Sequence, residues 1–413
     1  MEKLFLEKRT LLSNRLVQIS GSKSISNRLL ILDALYKDLR CENLSDSQDT
    51  KVLQKALSST QDTIDIHHAG TAMRFLTAYF AIQSDRSVIL TGSTRMKQRP
   101  ISELVHALRD LGADITFTEN EGYPPLQING RTLKGGTIHM PGDVSSQFIS
   151  ALLLIGPFLP EGLEIHLTGD ILSRPYIEMT LTLLKKVGFD SQFKDNVISV
   201  SPYNLESSAS QIRYFHVESD WSSASYYYSM AAISRQSIRL KNFKNYSYQG
   251  DSQLKEIYWN YFGINTVTDI QELSISLLPE NHQSVSRIEL DMRTCPDLAQ
   301  TLCITAAAKK IPFQITGLKT LKIKETDRLL ALHNELKKIG CNTIITEESI
   351  ESTHFFEISE PIEIQTYNDH RMALSFAPYA LIQSLTIQDP NVVEKSYPMF
   401  WNHFDQITEI IES

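Results

Sequence analysis

The stretch KETDRLLALHNELKKIG, at residues 324–340, carries a pattern from which the rest of the sequence can be interpreted. Its apolar residues recur at steps of three, four and three, and they are Leu329, Leu332, Leu336 and Ile339. This spacing is typical of the buried face of an amphipathic helix, and Gly340 is a stop signal for that helix. The sequence therefore predicts one amphipathic helix that ends at a glycine.

Two cations lie at the start of this stretch. Lys324 and Arg328 are four residues apart, so we expect them on one face of the first helical turn, with Glu325 beside them. Cations at a helix N-terminus oppose the helix dipole, which favours anions there. A solvated helix start is the more common reason for a single pair of this kind. The alternative is a site where an anion binds between the two side chains.

The same helix ending recurs along the chain. An apolar residue followed by glycine closes four predicted helices, at Leu111-Gly112, Val187-Gly188, Phe262-Gly263 and Ile339-Gly340. The four glycines are 76, 75 and 77 residues apart. Three of these helices follow the same dipeptide, at Thr91-Gly92, Thr168-Gly169 and Thr316-Gly317. Each dipeptide predicts a strand end and a turn, so the spacing indicates a repeated unit of strands and helices.

A second type of helix, apolar and rich in small residues, alternates with the first. Its members begin near Ser24, Thr71, Ser145, Ser222, Asp297 and His370. Helices that are apolar all round are buried, so each unit has an inner and an outer helix. We expect six units in two groups of three, with the first unit truncated or split between the chain ends and a boundary near residues 215–220. Trp221 and the tyrosines at 226–228 are interpreted as packing residues.

Composition limits the classes of protein that need consideration. The chain has 413 residues, 42% hydrophobic and 21% charged, which is typical of a soluble globular protein with two or three domains. A net charge of −8 argues against nucleic-acid binding through a basic surface. The first residues lack a signal-peptide core and no apolar run spans a membrane, so we expect a cytoplasmic protein. The four cysteines form no CxxC motif, so structural zinc and a disulfide framework are not expected.

The basic residues of this acidic chain gather at equivalent positions of the repeats, close to helix starts. They are Lys23, Arg28, Arg95, Lys97, Arg99, Lys324, Arg328, Arg371 and Lys395. Helix N-termini bind anions, and guanidinium groups suit carboxylate and phosphate. Taken singly, Ser145-Ser146 and Asp297 are more often helix caps, and His370 could be a core histidine. Together the residues favour one or two small substrates that carry phosphates or carboxylates, bound without a metal or other cofactor.

Nine segments also resemble the 5-enolpyruvylshikimate-3-phosphate (EPSP) synthase family, in the family's order. They are GSKSISNR at 21–28, AGTAMR at 69–74, RMKQRPI at 95–101, SSQF at 145–148, SRPYI at 173–177, DMRTCPD at 291–297, KETDR at 324–328, NDHRMA at 368–373 and EKSYP at 394–398. The resemblance implies a mixed α/β (α+β) fold of six βαβαββ-like units, an inside-out α/β barrel with three units in each of two domains. Residues 1–20 with 218–413 would form the lower domain, which carries the phosphoenolpyruvate and catalytic residues. Residues 21–217 would form the upper domain, which binds shikimate 3-phosphate.

The resemblance also implies an activity and residues for it. The enzyme would transfer the enolpyruvyl group of phosphoenolpyruvate to the 5-hydroxyl of shikimate 3-phosphate, with Asp297 as base, Glu325 as acid and Lys23 also catalytic. Contacts to shikimate 3-phosphate would come from Lys23, Ser24, Arg28, Ser145, Ser146, Gln147, Ser173, Asp297 and Lys324. Contacts to phosphoenolpyruvate would come from Lys23, Gly70, Arg95, Gln147, Arg328, Arg371 and Lys395. The usual family form is a monomer, and Gly70 indicates sensitivity to glyphosate.

Three positions depart from the family pattern. His68 replaces an asparagine near Gly70, Phe75 replaces a proline, and Thr320 replaces an asparagine before Lys324. Two alternatives remain at this stage. A UDP-N-acetylglucosamine enolpyruvyl transferase usually has a cysteine in the loop before the Arg-Pro pair, but residues 91–98 contain none. A non-catalytic anion-binding protein on the same scaffold would not need both Asp297 and Glu325.

Overall fold

One compact unit of the chain is interrupted in sequence by the other. Unit 1 comprises Met1–Gly21 and Glu218–Ser413, and unit 2 comprises Ser22–Val217. The computed structural model describes residues 2–203, 212–281 and 285–411. Within these ranges no helix has the length and apolar character needed to cross a membrane.

The helices alternate between the two predicted types. In the described residues the α-helices are α1 (Lys23–Tyr36), α2 (Gln48–Leu57), α3 (Gly70–Ala81), α4 (Ser102–Asp110), α5 (Ser146–Ile155), α6 (Arg174–Val187), α7 (Trp221–Ser234), α8 (Leu254–Phe262), α9 (Ala299–Ala308), α10 (Arg328–Lys338), α11 (His370–Phe376) and α12 (Phe400–Ile407). The odd-numbered helices are the inner ones, and α5, α9 and α11 are buried along almost their whole length. Trp221 and Tyr226–Tyr228 of α7 are at most 2% exposed, which confirms that they are packing residues.

The strands are short, as expected for a chain built from small repeated units. They are β1 (Lys3–Leu6), β2 (Arg9–Leu11), β3 (Arg15–Gln18), β4 (Leu39–Glu42), β5 (Thr63–Asp65), β6 (Ser87–Thr91), β7 (Asp114–Phe117), β8 (Leu126–Asn129), β9 (Gly136–Pro141), β10 (Leu163–Thr168), β11 (Ser191–Lys194), β12 (Val197–Val200), β13 (Arg213–His216), β14 (Ile238–Lys241), β15 (Ile264–Asp269), β16 (Ser274–Pro279), β17 (Ile288–Asp291), β18 (Phe313–Thr316), β19 (Cys341–Ile345), β20 (Ile350–Phe355), β21 (Ile362–Ile364), β22 (Leu385–Gln388) and β23 (Thr408–Ile410).

Four sheets share one pattern, in which a parallel pair of strands is extended by an antiparallel hairpin. Unit 2 contains β5-β6-β8-β7 and β9-β10-β12-β11, and unit 1 contains β3-β14-β16-β15 and β17-β18-β20-β19. The strands described here form open sheets rather than a closed barrel. This recurring sheet pattern accounts for the regular spacing of the helix-ending glycines in the sequence.

Other strand pairs join segments that lie far apart in the sequence, and they complete repeated units that the chain order divides. In unit 2, β4 pairs in parallel with β13, from opposite ends of that unit. In unit 1, β1 pairs with β22 and β2 with β23, and β3 of the four-stranded sheet already described pairs with β14. The expectation that a unit is divided between the chain ends is therefore confirmed.

The predicted turn signals coincide with the ends of elements. Gly188 and Gly263 are the C-caps of α6 and α8, with φ of +99° and +67°. Glycine adopts this left-handed conformation without the clash that a Cβ atom would cause. Thr91, Thr168 and Thr316 are the last residues of β6, β10 and β18. Both sequence signals thus identified real boundaries.

The predicted start of the helix in the 324–340 stretch was wrong. Residues Lys319–Ile323 form a 3-10 helix and Lys324 is extended, so α10 begins only at Arg328. Asp327 is the N-cap, and its carboxylate accepts from the N–H of Leu330 at 3.1 Å. Because this cap fixes the first turn, Lys324 and Glu325 belong to the preceding loop.

Proline suits the first turn of a helix, and two prolines lie near helix starts. Pro175 lies in the first turn of α6. Pro100 does not occupy a first turn, since α4 begins at Ser102 after the N-cap Ile101. The preceding Met96–Gln98 segment is a separate 3-10 turn, which accounts for the displaced helix start.

Candidate active site

In unit 1, the buried guanidinium of Arg328 binds three carboxylates. Its Nε donates to Asp369 Oδ2 at 2.6 Å, Nη1 to Asp297 Oδ1 at 2.9 Å and Nη2 to Glu325 Oε2 at 2.7 Å. Burial alone would lower the pKa of Arg328, but Asp369, Glu325 and Asp297 outweigh it and raise that pKa above its ordinary value. Arg328 therefore remains charged and brings the predicted base and acid onto one planar group.

Asp297 is surrounded by cations. Arg371 donates to Asp297 Oδ2 and to its main-chain oxygen, both at 3.1 Å, and Lys324 Nζ lies 3.5 Å from Oδ1. Burial alone would raise the pKa of Asp297, but Arg371, Lys324 and Arg328 outweigh it and hold that pKa far below its usual range. Asp297 is therefore a carboxylate, and its lone pairs are occupied by positive partners.

Glu325 is held between two cations. Besides Arg328, the Nζ atom of Lys395 donates to Glu325 Oε1 at 2.7 Å. Lys395 is 7% exposed and ends the 3-10 segment Pro390–Lys395. Each oxygen of the Glu325 carboxylate thus has its own cationic partner.

Local backbone geometry presents these groups. Asp369 caps α11, and its Oδ1 accepts from the N–H of Arg371 at 2.9 Å. Asp297 lies in the 3-10 segment Pro296–Leu298 that leads into α9. The unit 1 cluster consists of Asp297, Lys324, Glu325, Arg328, Asp369, Arg371 and Lys395. It assembles the six residues of this unit that the sequence predicted, together with Asp369.

In unit 2, Arg28 is buried among neutral acceptors. It donates to Thr180 Oγ1 at 2.7 Å, to Ser150 Oγ at 3.0 Å and to the carbonyl oxygens of Ser24 and Tyr176. Burial lowers the pKa of Arg28 to about 10. These contacts tie the N-terminal halves of α1, α5 and α6 together.

Phe75 of α3 also packs against Arg28. The guanidinium carbon of Arg28 lies 5.4 Å from the centre of the Phe75 ring, which is a cation–π distance. Phe75 is 1% exposed. This departure from the family pattern therefore has a packing role beside a predicted substrate contact.

Gly70, at the start of α3, lies against Arg99. A Cβ atom added to Gly70 would be 2.6 Å from Arg99 Nη1. Near this glycine, Gln147 Nε2 donates to Thr71 Oγ1 at 3.2 Å, which links the starts of α3 and α5. The absence of a side chain at Gly70 thus allows the guanidinium of Arg99 to lie close to this helix N-terminus.

The other predicted residues of unit 2 also lie at helix starts. Lys23 begins α1 and pairs with the buried Asp49 of α2 at 3.2 Å. Ser145 caps α5, and its hydroxyl accepts from the N–H of Gln147 at 3.4 Å. Ser173 precedes α6 in a left-handed conformation, and Arg95 precedes the Met96–Gln98 turn. Ser24 and Ser146 lie in the first turns of α1 and α5.

Comparison with known proteins identifies the family. A family model described as EPSP synthase (3-phosphoshikimate 1-carboxyvinyltransferase) matches residues 51–404. The chain belongs to the EPSP synthase family. A 3-phosphoshikimate 1-carboxyvinyltransferase of Bacteroides fragilis is 48% identical over 393 residues, which cover 94% of this chain and 93% of that protein. Its counterpart in Haemophilus influenzae is 34% identical over 430 residues, covering 95% and 96%.

Solved structures show the same fold. An EPSP synthase from Acinetobacter baumannii covers the whole chain with a TM-score of 0.74 and 21% identity. The enolpyruvyl transferase NikO from Streptomyces tendae has a TM-score of 0.72 and 14% identity. The predicted family, its enzyme class and its two-domain mixed α/β fold are confirmed, and the UDP-N-acetylglucosamine alternative is not favoured.

The other two departures from the EPSP synthase pattern, His68 and Thr320, differ in their burial and hydrogen bonding. His68 is exposed, and its Nδ1 lies 2.9 Å from Ser93 Oγ. The hydroxyl of Thr320 is buried and has no hydrogen-bond partner among the described residues. Within the same ranges, no group of three or more His, Cys, Asp or Glu side chains could hold a metal ion.

Sequence reasoning gave no role to several residues of the site. Arg99 stood among the clustered basic residues, but its contact with Gly70 is visible only in three dimensions. Asp369 lies in the NDHRMA segment, where its position before a helix predicts a cap and gives no sign of an ion pair. Ser222 and Asp251 lie near Arg371 without any motif to mark them.

Proposed function

We propose that this chain transfers the enolpyruvyl group of phosphoenolpyruvate to the 5-hydroxyl of shikimate 3-phosphate. Glu325 delivers a proton to the methylene carbon of phosphoenolpyruvate, which places positive charge on the central carbon. The 5-hydroxyl oxygen bonds to that carbon while Asp297 takes its proton. The tetrahedral intermediate then loses phosphate, which leaves with the proton that Asp297 had taken. A methyl proton returns to the Glu325 carboxylate, which restores the double bond.

One observation carries this proposal. The acid and the base bind two nitrogens of the same guanidinium, with Asp297 and Glu325 at 2.9 and 2.7 Å from Arg328. The chemistry needs an acid and a base at different atoms of the reacting pair, with fixed cations near the departing phosphate. Arg328, Arg371 and Lys395 supply those cations within unit 1.

In the unit 1 cluster, substrate binding has to draw cations away from Asp297 and Glu325 before these two carboxylates can act. In the described contacts, Asp297 and Glu325 are neutralised by cations that we assign to phosphoenolpyruvate. When phosphate and carboxylate groups draw Arg371 and Lys395 toward themselves, the two protein carboxylates lose positive partners and gain proton affinity. Asp297 then becomes an effective base, and Glu325 takes up the proton that it delivers.

Substrate contacts are assigned for each unit separately. In unit 1 we assign Arg328, Arg371 and Lys395 to phosphoenolpyruvate, and Asp297 and Lys324 to shikimate 3-phosphate. In unit 2 we assign to phosphoenolpyruvate the residues Lys23, Gly70, Arg95 and Gln147, and we add Arg99 because its guanidinium lies beside Gly70. In unit 2 we assign to shikimate 3-phosphate the residues Lys23, Ser24, Arg28, Ser145, Ser146, Gln147 and Ser173. The buried hydroxyl of Thr320 offers a further donor for that substrate.

A direct assay tests the reaction. Purified protein should release phosphate and form the enolpyruvyl ether only when both shikimate 3-phosphate and phosphoenolpyruvate are present. Asp297→Asn serves as the control, with its fold checked by circular dichroism. Folded wild-type protein that releases no phosphate above this control contradicts the proposal.

The setting of the enzyme is proposed separately. We propose a cytoplasmic monomer whose partners are its two small substrates, with no nucleic acid and no membrane. The net charge of −8 supports the absence of a nucleic-acid partner. Size-exclusion chromatography with light scattering should give the mass of one chain, and twice that mass would contradict the monomer.

A further inference from the structure

Asp251 is a buried carboxylate that the proposed reaction does not use. It lies in the 3-10 segment Gly250–Gln253 just before α8 and is 3% exposed. Its Oδ2 accepts a hydrogen bond from the hydroxyl of Ser222, the second residue of α7. A buried carboxylate is costly unless it is well bonded and compensated, so its surroundings require an explanation.

The hydroxyl of Ser222 connects Asp251 to the unit 1 cluster. Arg371 Nη2 lies 3.4 Å from Ser222 Oγ and 3.1 Å from Asp297 Oδ2. The hydroxyl of Ser222 has one proton, which it donates in the hydrogen bond to Asp251. The group that faces the guanidinium of Arg371 is therefore a lone pair of the Ser222 oxygen. Arg371 therefore contacts both Asp297 and Ser222, and Ser222 in turn donates to Asp251.

The charges around Asp251 indicate that its side chain does more than fill space and accept a hydrogen bond. Burial raises the pKa of Asp251, Asp297 and Asp220 add to the rise, and Arg371 and the Ser222 hydrogen bond oppose it, which leaves that pKa at about 6. Asp251 in turn raises the pKa of the Cys295 thiol, after burial itself. An asparagine could accept the same Ser222 hydrogen bond without this repulsion. The carboxylate contributes something an amide lacks, which is a negative charge near Arg371.

We propose that Asp251, acting through Ser222, is a positioning residue that fixes the guanidinium of Arg371 for an anionic substrate. The hydrogen bond orients the Ser222 hydroxyl, and the charge of Asp251 opposes the collapse of Arg371 onto Asp297 alone. This inference rests on the proposed function, which assigns Arg371 to phosphoenolpyruvate. It adds to that function a pair of residues that touch neither substrate.

Asp251→Asn and Ser222→Ala test this role. Each should raise KM for phosphoenolpyruvate by about tenfold, less than the ~10²-fold effect of misplacing a contacting group by about 1 Å. KM for shikimate 3-phosphate should change by less than about twofold, since Arg371 is not assigned to that substrate. Ser225→Ala is the matched control, because Ser225 is a buried hydroxyl of the same helix that bonds Thr301 and the Ser222 carbonyl. It should leave both KM values unchanged.

A pH series separates positioning from a purely structural role. The charged groups that act on Asp251 are Asp220, Asp297 and Arg371, and the neutral thiol of Cys295 is a further titratable neighbour. Asp251 is charged above about pH 6 and neutral below it, so its effect on Arg371 is lost as the pH falls. The phosphate of phosphoenolpyruvate also titrates near about pH 6. The informative quantity is therefore the ratio of variant to wild-type KM, which should shrink between about pH 7.5 and about pH 5.5.

Binding measurements keep this test independent of turnover. Isothermal titration of phosphoenolpyruvate into protein with shikimate 3-phosphate gives a dissociation constant even without catalysis. Wild-type binding without phosphate release would overturn the proposed reaction, while the loss of affinity in Asp251→Asn would still support positioning. Unchanged phosphoenolpyruvate affinity in a folded Asp251→Asn variant, or equal losses for both substrates, would overturn the inference.

Discussion

In unit 2 the guanidinium of Arg28 donates to hydroxyls and main-chain carbonyls, whereas in unit 1 the guanidinium of Arg328 donates to three carboxylates. The two side chains are equally buried, at 3% and 2% exposure. Burial lowers the pKa of Arg28 to about 10. Burial acts in the same direction on Arg328, but Asp369, Glu325 and Asp297 reverse its effect.

The two arginines therefore differ in whether their charge is compensated before an anion binds. Arg28 keeps a charge that none of its described contacts neutralises, so an anionic ligand adds the missing compensation. Arg328 is already compensated, so a ligand has to compete with the carboxylates of the protein. Unit 1 should therefore depend on its ion pairs for stability, while unit 2 should depend on them much less.

Arg328→Met should give the largest effect. It leaves Asp369 buried without its main cation, and breaking a buried pair from one side costs about 3–5 kcal/mol of unfolding free energy. The three tryptophans, Trp221, Trp259 and Trp401, all lie in unit 1, so urea unfolding followed by tryptophan fluorescence reports on that unit. Arg239→Met, which removes an exposed pair with Glu272, should change the free energy by less than about 1 kcal/mol. Equal losses in the two variants would contradict the importance of the buried pairs.

Glu325→Gln should follow in size. The amide keeps the shape of the side chain but has no proton to deliver, so kcat should fall by about 10²-fold or more. Binding of phosphoenolpyruvate, measured by titration calorimetry, should stay nearly intact. A variant with near-normal kcat would remove Glu325 from its role as the acid.

Arg28→Met tests the other half of the comparison. The hydroxyls of Thr180 and Ser150 already bond each other at 2.9 Å, so they keep a partner when the guanidinium is removed. Loss of the remaining hydrogen bonds should cost about 1 kcal/mol, offset in part by relief from burying a charge. Hydrogen exchange of unit 2 peptides measures this change, and KM for shikimate 3-phosphate should rise. A loss as large as that of Arg328→Met would break the contrast between the units.

Gly70→Ala should give the smallest effect. The new methyl group would meet the flexible end of Arg99, whose displacement should cost about 1 kcal/mol. This corresponds to about a fivefold rise in KM for phosphoenolpyruvate. Inhibition by glyphosate should weaken by at least as much, and unchanged inhibition would contradict the expected sensitivity. Thermal denaturation of the variant is the control, and its midpoint should fall by only about 2–4 °C.

The fold was predictable because it repeats. Gly188 and Gly263 mark helix ends at one spacing, and Thr91, Thr168 and Thr316 mark strand ends at equivalent positions, so each signal supported the others. The start of α10 was missed because Asp327, a cap, lies within a run of charged residues that also suits a helix. Local patterns of this kind cannot distinguish a first turn from the loop before it.

The candidate site was predictable as a set of residues but not as a set of contacts. Asp297 and Arg371 are 74 positions apart and Glu325 and Lys395 are 70 apart. Nothing in the spacing shows which acid meets which cation, because tertiary packing decides it. Asp251 is the clearest case, since no motif marks it and its importance depends on the position of Ser222 and Arg371.

The pairing of the earliest strands with distant partners has a consequence for synthesis of the chain. Strands β1, β2 and β3 need β22, β23 and β14, which the ribosome delivers only after all of unit 2. Unit 2 is continuous in sequence and is complete before unit 1 has most of its residues. The nascent chain therefore carries unpaired strand edges at its leading end for most of translation, which is the state most exposed to mispairing and to chaperone binding.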